Sequence, residues 1–106
     1  SDRAYVEGIV KKLKEQLAHG TTYGDRRGAA YGLAGVVKGL GITTLKNFAI
    51  MDSLKAYVED KSDANAREGG ILAFECFCDR LGKLFEPYVI HVLPLLLTCF
   101  GDSALQ

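Results

Sequence analysis

The chain has 106 residues, 48% of them hydrophobic, with 13 basic and 13 acidic side chains and a formal net charge of zero. That much apolar mass supports the packed core of one small domain or of a few repeat units, and it argues against disorder. The balanced charge argues against a dedicated nucleic-acid-binding domain, which normally carries a basic excess, and leaves room only for a local basic face.

Five segments carry helical periodicity. The first covers residues 3–18, with Val6, Ile9, Val10, Leu13 and Leu17 on one face and Gly20 as a stop. The second covers residues 25–40, with Ala30, Leu33, Ala34, Val37 and Leu40 as its stripe and Gly41 at its end. The third covers residues 44–59, capped by Thr43 or Thr44, with Phe48, Ile50, Met51, Leu54, Tyr57 and Val58 inward. The fourth covers residues 63–84, with Asp63 available as a cap; Ile71, Phe74, Phe77, Cys78, Leu81 and Phe85 line its inner side. The fifth begins at Glu86-Pro87, where proline suits the first helical turn, and runs to Phe100, with Gly101 as its stop. The connections are short, which favours antiparallel neighbours.

A repeat emerges when the chain is shifted by 41 residues. Arg26 then falls on Arg67, Gly28 on Gly69, Leu40 on Leu81 and Gly41 on Gly82. In the odd-numbered helices Leu13 falls on Leu54 and Leu95, Val10 on Met51 and Val92, and Ile9 on Ile50. A helix-pair period of roughly 40–47 residues is that of HEAT and armadillo repeats, whose pairs stack because none buries both apolar faces alone. Pro94 inside the fifth helix and Asp102 in the turn expected after it favour HEAT. The expected fold is therefore an all-α HEAT-type solenoid segment of about two and a half helix pairs. The units are residues 1–41, residues 42–84, and the first helix of a third, truncated unit over residues 85–106. The stripe Val89, Val92, Leu96 and Phe100 of that last helix is expected to lack its partner, as in a piece cut from a longer solenoid.

Few residues suggest chemistry. Cys76 and Cys78 sit two apart on a helix, so their thiols diverge, and no further ligands complete a zinc site. Cys78 is expected in the core and Cys76 at its edge. An odd count of three cysteines with no framework fits a reducing, cytosolic setting. No metal, cofactor or small-molecule substrate is implied. A thiol enzyme built on Cys76 or Cys99 stands as a distant alternative, without a local signature to support it. The most apolar stretch, Val89 to Phe100, is too short to span a bilayer and is interrupted by His91 and Pro94.

Two surface features remain. Gly28, Gly32, Gly35 and Gly39 recur at helical spacing, opposite the apolar stripe of their helix. Four interior glycines cost a helix about 3–4 kcal/mol against alanine. Close approach by a neighbouring helix is the favoured explanation, with a smooth partner groove as the second. Arg26, Arg27 and Lys38, with Arg67 and Arg80 in related places, could form a basic ladder suited to RNA phosphates or an acidic protein. The competing expectation is that Arg26 and Arg67 each pair with a turn aspartate.

The runs GDRRGAAYGLAGVVKGLGI and LAFECFCDRLGKLFEPYVIHVLPLLLTCFGD, linked by REGG, cover nearly everything from Tyr23 onward. They resemble the giant HEAT-repeat translational activators of the general amino-acid control pathway. ANAREGG departs from that pattern, with Gly70 in place of alanine and a single arginine in place of two. The resemblance implies a cytosolic scaffold that binds translating ribosomes, especially stalled and collided ones. It implies activation of the kinase that phosphorylates the alpha subunit of initiation factor two, through a kinase-docking region elsewhere in the protein. It also implies similarity to the HEAT region of fungal translation elongation factor three. The alternative is a generic HEAT scaffold, such as a transport or complex-assembly adaptor.

Overall fold

The structure is a computed structural model that describes the backbone of residues 2–105 and the side chains of residues 2–94 and of Leu97. It is all-α, with no strand among the described residues. Its elements are α1 (Asp2–His19), α2 (Tyr23–Leu40), α3 (Thr44–Asn47), α4 (Ile50–Glu59), α5 (Ala64–Leu81), a 3-10 turn (Gly82–Phe85) and α6 (Glu86–Leu105).

Local chemistry sets most of the boundaries. α2 begins two residues earlier than its apolar periodicity suggests, because Thr22 and Asp25 form a reciprocal capping box. The Asp25 N–H donates to the Thr22 hydroxyl at 3.0 Å, and the Thr22 N–H donates to the Asp25 carboxylate at 3.3 Å. Asp63 caps α5 by accepting the Ala66 N–H at 3.0 Å. The 41-residue shift that relates Arg26 to Arg67 also carries Thr22 onto Asp63. The two cap positions are therefore equivalent, although their residue types differ. Gly41 and Gly82 are equivalent ends, at φ of 108° and 55°. A side chain would strain such backbone, so glycine is the residue that lets both helices stop there.

The third predicted helix is broken. α3 ends at Asn47, and Ala49 adopts the left-handed region (φ 51°, ψ 36°) before α4 starts. Neither Thr43 nor Thr44 caps α3; the Thr44 hydroxyl instead donates back to the Gly41 carbonyl at 2.6 Å. The break is held by cations from α1. Arg3 donates to the Asn47 carbonyl at 3.0 Å and lies over the Phe48 ring at 4.9 Å. Lys14 donates to the carbonyls of Phe48 at 2.8 Å and Ala49 at 3.5 Å. Carbonyls near the break thus find donors from residues 34 to 44 positions away. Burial in this contact pushes the Lys14 ammonium below its usual value, with nearby Asp52 opposing the shift.

α5 is the central element, packed against α1, α2 and α4. Gly69 and Gly70 make that position sterically accessible. A Cβ on Gly69 would overlap the Leu17 carbonyl of α1. A Cβ on Gly70 would lie 2.7 Å from Val58 Cγ2 and 3.2 Å from the Leu54 carbonyl of α4. Gly70 is therefore the residue that α4 demands here, although alanine was expected from the family pattern. The core around α5 is filled by Val10, Leu17, Leu33, Val37, Ile50, Leu54, Val58 and Phe77, all essentially inaccessible to solvent.

The 3-10 turn ends the fourth predicted helix at Leu81 and delivers Phe85 into an aromatic cluster. Phe85 meets Phe77 edge-on at 5.4 Å and stacks with Tyr88 at 5.9 Å, which fastens the start of α6 to α5. α6 then runs through Gly101 and Asp102 to Leu105, so neither residue ends it. A glycine stops a helix only where the chain is also drawn into a turn. The expected unpartnered stripe also shifts. Val92 is buried and Val89 packs against the core, while Ile90, Leu93 and Leu97 are exposed. Leu96 and Phe100 lie outside the described side chains.

Three substitutions test these contacts. Gly69→Ala should destabilise the chain by about 1–3 kcal/mol in urea unfolding, because the added methyl meets backbone. Gly35→Ala, with nothing near its Cβ, should stabilise it by about 1 kcal/mol. Ala49→Gly should raise stability by about 1 kcal/mol by relieving the left-handed strain. A loss on Ala49→Gly would show that the break carries no strain.

Candidate binding surface

The residues proposed from sequence separate into two groups. Arg26 is buried: its Nε and Nη2 donate to Glu68 Oε1 at 3.2 and 2.7 Å, and its Nη1 donates to the Gly20 carbonyl at 2.9 Å. Its partner is thus a glutamate on α5, not a turn aspartate. Arg67 is half-buried and donates to the Asp60 backbone carbonyl at 2.8 Å. Asp60 itself is engaged by Ser62, whose N–H and hydroxyl hold its carboxyl below the usual carboxylate range. Both arginines tie the start of a second helix back to the preceding turn, which withdraws Arg26 from a basic ladder and Arg67 in part.

The glycine stripe divides as well. A Cβ on Gly32 would lie 2.9 Å from Leu13 Cδ2, so this position does admit a neighbouring side chain. At Gly28 the nearest atom is Gln16 Nε2 at 3.8 Å, an ordinary contact, and at Gly35 and Gly39 nothing comes within 4 Å. Close helix approach therefore accounts for Gly32 and not for Gly35 or Gly39. The close approaches lie instead at Gly69 and Gly70.

Of the residues singled out from sequence, Arg27, Gly28, Gly35, Lys38 and Gly39 are exposed on α2, beside half-buried Tyr31. Arg27 lies over the Tyr31 ring at 4.6 Å and donates to its hydroxyl at 2.9 Å. Arg80 reaches the same ring from α5 at 5.1 Å. This three-residue cluster spans the α2–α5 seam. Tyr31 was absent from the sequence-derived set. The i, i+4 spacing of Arg27 and Tyr31 signals half of the cluster. The approach of Arg80 depends on tertiary packing.

The thiols exchange their expected places. Cys76 is buried and Cys78 is exposed, because α5 is covered on the α2 side as well as the α4 side. Burial pushes both thiols above their ordinary value, with Arg27 and Arg80 only partly opposing this at Cys76. Neither has the electropositive, accessible setting of an activated nucleophile. The Cys99 side chain lies outside those described. Among the described residues no cluster of His, Cys, Asp or Glu is arranged to hold a metal ion, and no helix is long and apolar enough to cross a membrane. Two open clefts flank the helix break. One, of about 340 Å³, is bordered by Arg3, Lys11 and Lys14; the other, of about 240 Å³, by Lys46, Lys55, Tyr88 and His91.

The two arginine roles are separable by mutation. Arg26→Ala should cost about 2 kcal/mol in urea unfolding, since it removes charge-assisted bonds to Glu68 and Gly20. Arg27→Ala should change stability by no more than about 0.5 kcal/mol, as expected for an exposed site. Equal losses would show that Arg27 is structural too.

The chain is 55% identical over 95 residues to the eIF-2-alpha kinase activator GCN1 of Dictyostelium discoideum. It is 55% identical over 96 residues to the stalled ribosome sensor GCN1 of Homo sapiens, and 54% identical over 95 residues to Protein ILITYHIA of Arabidopsis thaliana. These matches cover 90 to 91% of the chain, but the chain spans only 3 to 4% of the length of those relatives. No solved structure matches it. Residues 26–106 match the family described as EF3 N-terminal HEAT repeat. With its stacked helices, equivalent caps and equivalent glycine stops, the chain belongs to the EF3 N-terminal HEAT repeat family.

Proposed function

We propose that the chain is a non-catalytic scaffold segment of a cytoplasmic translational activator. In this reading the whole protein engages stalled or collided ribosomes. It stimulates the kinase that phosphorylates initiation factor two alpha during amino-acid starvation, with the kinase contacted by other parts of the polypeptide. The observation that carries the reading is identity above half, sustained over nine-tenths of the chain, to proteins named as a kinase activator and a stalled ribosome sensor. The HEAT-repeat family match over residues 26–106 supports a scaffold role. Within the reading the chain comprises two helix pairs, residues 1–41 and 42–84, and the first helix of a third, residues 85–106.

The test is co-sedimentation of the chain with ribosomes, single and collided, across roughly 50 to 200 mM salt. Pelleting that weakens with salt is the expected result. A chain that is helical by circular dichroism yet stays in the supernatant at every salt concentration would be a spacer between other repeats, and the ribosome-facing reading would fail.

A further inference from the structure

We infer that the α2–α5 face centred on Arg27, Tyr31 and Arg80 binds the phosphate backbone of structured RNA. The inference rests on the ribosome reading and deepens it, by naming which surface and which chemistry would make the contact.

The argument begins with charge that the fold leaves unused. Arg26 is neutralised by Glu68, and Arg67 is turned onto a backbone carbonyl. Arg27 forms no ion pair among the described residues, and its single hydrogen bond goes to the neutral Tyr31 hydroxyl. Arg80 has one loose carboxylate contact, Nε to Asp79 at 3.9 Å, and half of its side chain is exposed. The fold nevertheless brings both guanidiniums to within about 5 Å of one ring centroid. A tyrosine ring offsets only part of the positive charge of the two guanidiniums that meet it. An anion received by both would offset the rest.

The geometry favours phosphate. A guanidinium that lies over a ring keeps most of its in-plane N–H donors free, and that planar fork matches phosphate oxygens. Lys38 continues the same face of α2 eleven residues beyond Arg27, about 16 Å along the helix. To one side of that line Gly28 and Gly35 raise no side chain, so a polyanionic backbone can come close to the helix surface there. Glu75 and Asp79 also lie on the exposed side of α5. They stand with Arg27 and Arg80 around Cys76 and weaken long-range attraction. Contact should therefore be short-range and moderate in affinity.

The experiment is fluorescence anisotropy of a labelled double-stranded RNA hairpin titrated with the chain over a salt series. It is run in parallel with ribosome co-sedimentation and with polyglutamate as a competitor. Arg27→Glu with Arg80→Glu should weaken RNA binding at least about tenfold and flatten the log–log salt dependence by about two. The charge-matched control, Lys11→Glu with Lys12→Glu on α1, should change affinity less than about threefold. Circular dichroism checks folding; if the double glutamate variant is not folded, Arg27→Gln with Arg80→Gln is held to the same threshold. Equal loss in the α1 control, or displacement of RNA by polyglutamate at matched charge concentration, overturns the inference in favour of unspecific charge or an acidic partner. Ribosome pelleting without RNA binding overturns the inference while the ribosome reading survives. Absence of both removes the two together.

Discussion

The constraint on which the structure depends is the clearance around the α5 backbone. Three helices converge on it, and on two sides the neighbour meets α5 main chain rather than side chain: α1 at Gly69, and α4 at Gly70. Adjacent residues on a helix point about 100° apart, so two consecutive glycines open two different faces at one level. That single notch lets α5 lie between the first helix of its own pair and the helix of the preceding one. The aromatic cluster at Phe85 and the Arg26–Glu68 bond then lock the position that the notch permits. Side-chain complementarity elsewhere in the core refines this arrangement; it could not create it against a backbone clash.

The same packing decides what the charged residues do. Helix starts placed close to the preceding turn leave backbone carbonyls in need of donors, and Arg26 and Arg67 meet that need at equivalent places. Arg3 and Lys14 do so at the α3–α4 break. Four of the 13 basic side chains thereby hold backbone carbonyls. Arg27 and Arg80 stay available on the α2–α5 seam, where one aromatic ring organises them, while Lys11, Lys12, Lys46, Lys61 and Lys83 are exposed elsewhere.

This division explains why a neutral chain can still present a local cationic surface. Net charge reports the sum, whereas a binding surface depends on which charges the fold has not already paired. The glycines of α2 divide in the same way: Gly32 answers to Leu13 of α1, whereas no described atom lies within 4 Å of a Cβ placed on Gly35 or Gly39.

The sequence by itself determined the helices, their repeat and most of the core. Apolar periodicity is a local property, and the 41-residue register aligned Val10, Met51 and Val92, all of which are buried. It likewise placed Asp63 as a cap and Gly41 as an end, because capping is chemistry within a few residues. Only the tertiary structure decided the rest. The break at Ala49 depends on donors more than thirty residues away. Cys76 is buried in place of Cys78 because periodicity describes one inward face, while α5 has neighbours on three. Arg26 and Arg27 are adjacent and chemically identical in sequence. A turn of about 100° sends one under the α2–α5 seam to meet half-exposed Glu68 and leaves the other in solvent over Tyr31, a difference set by which helices pack alongside.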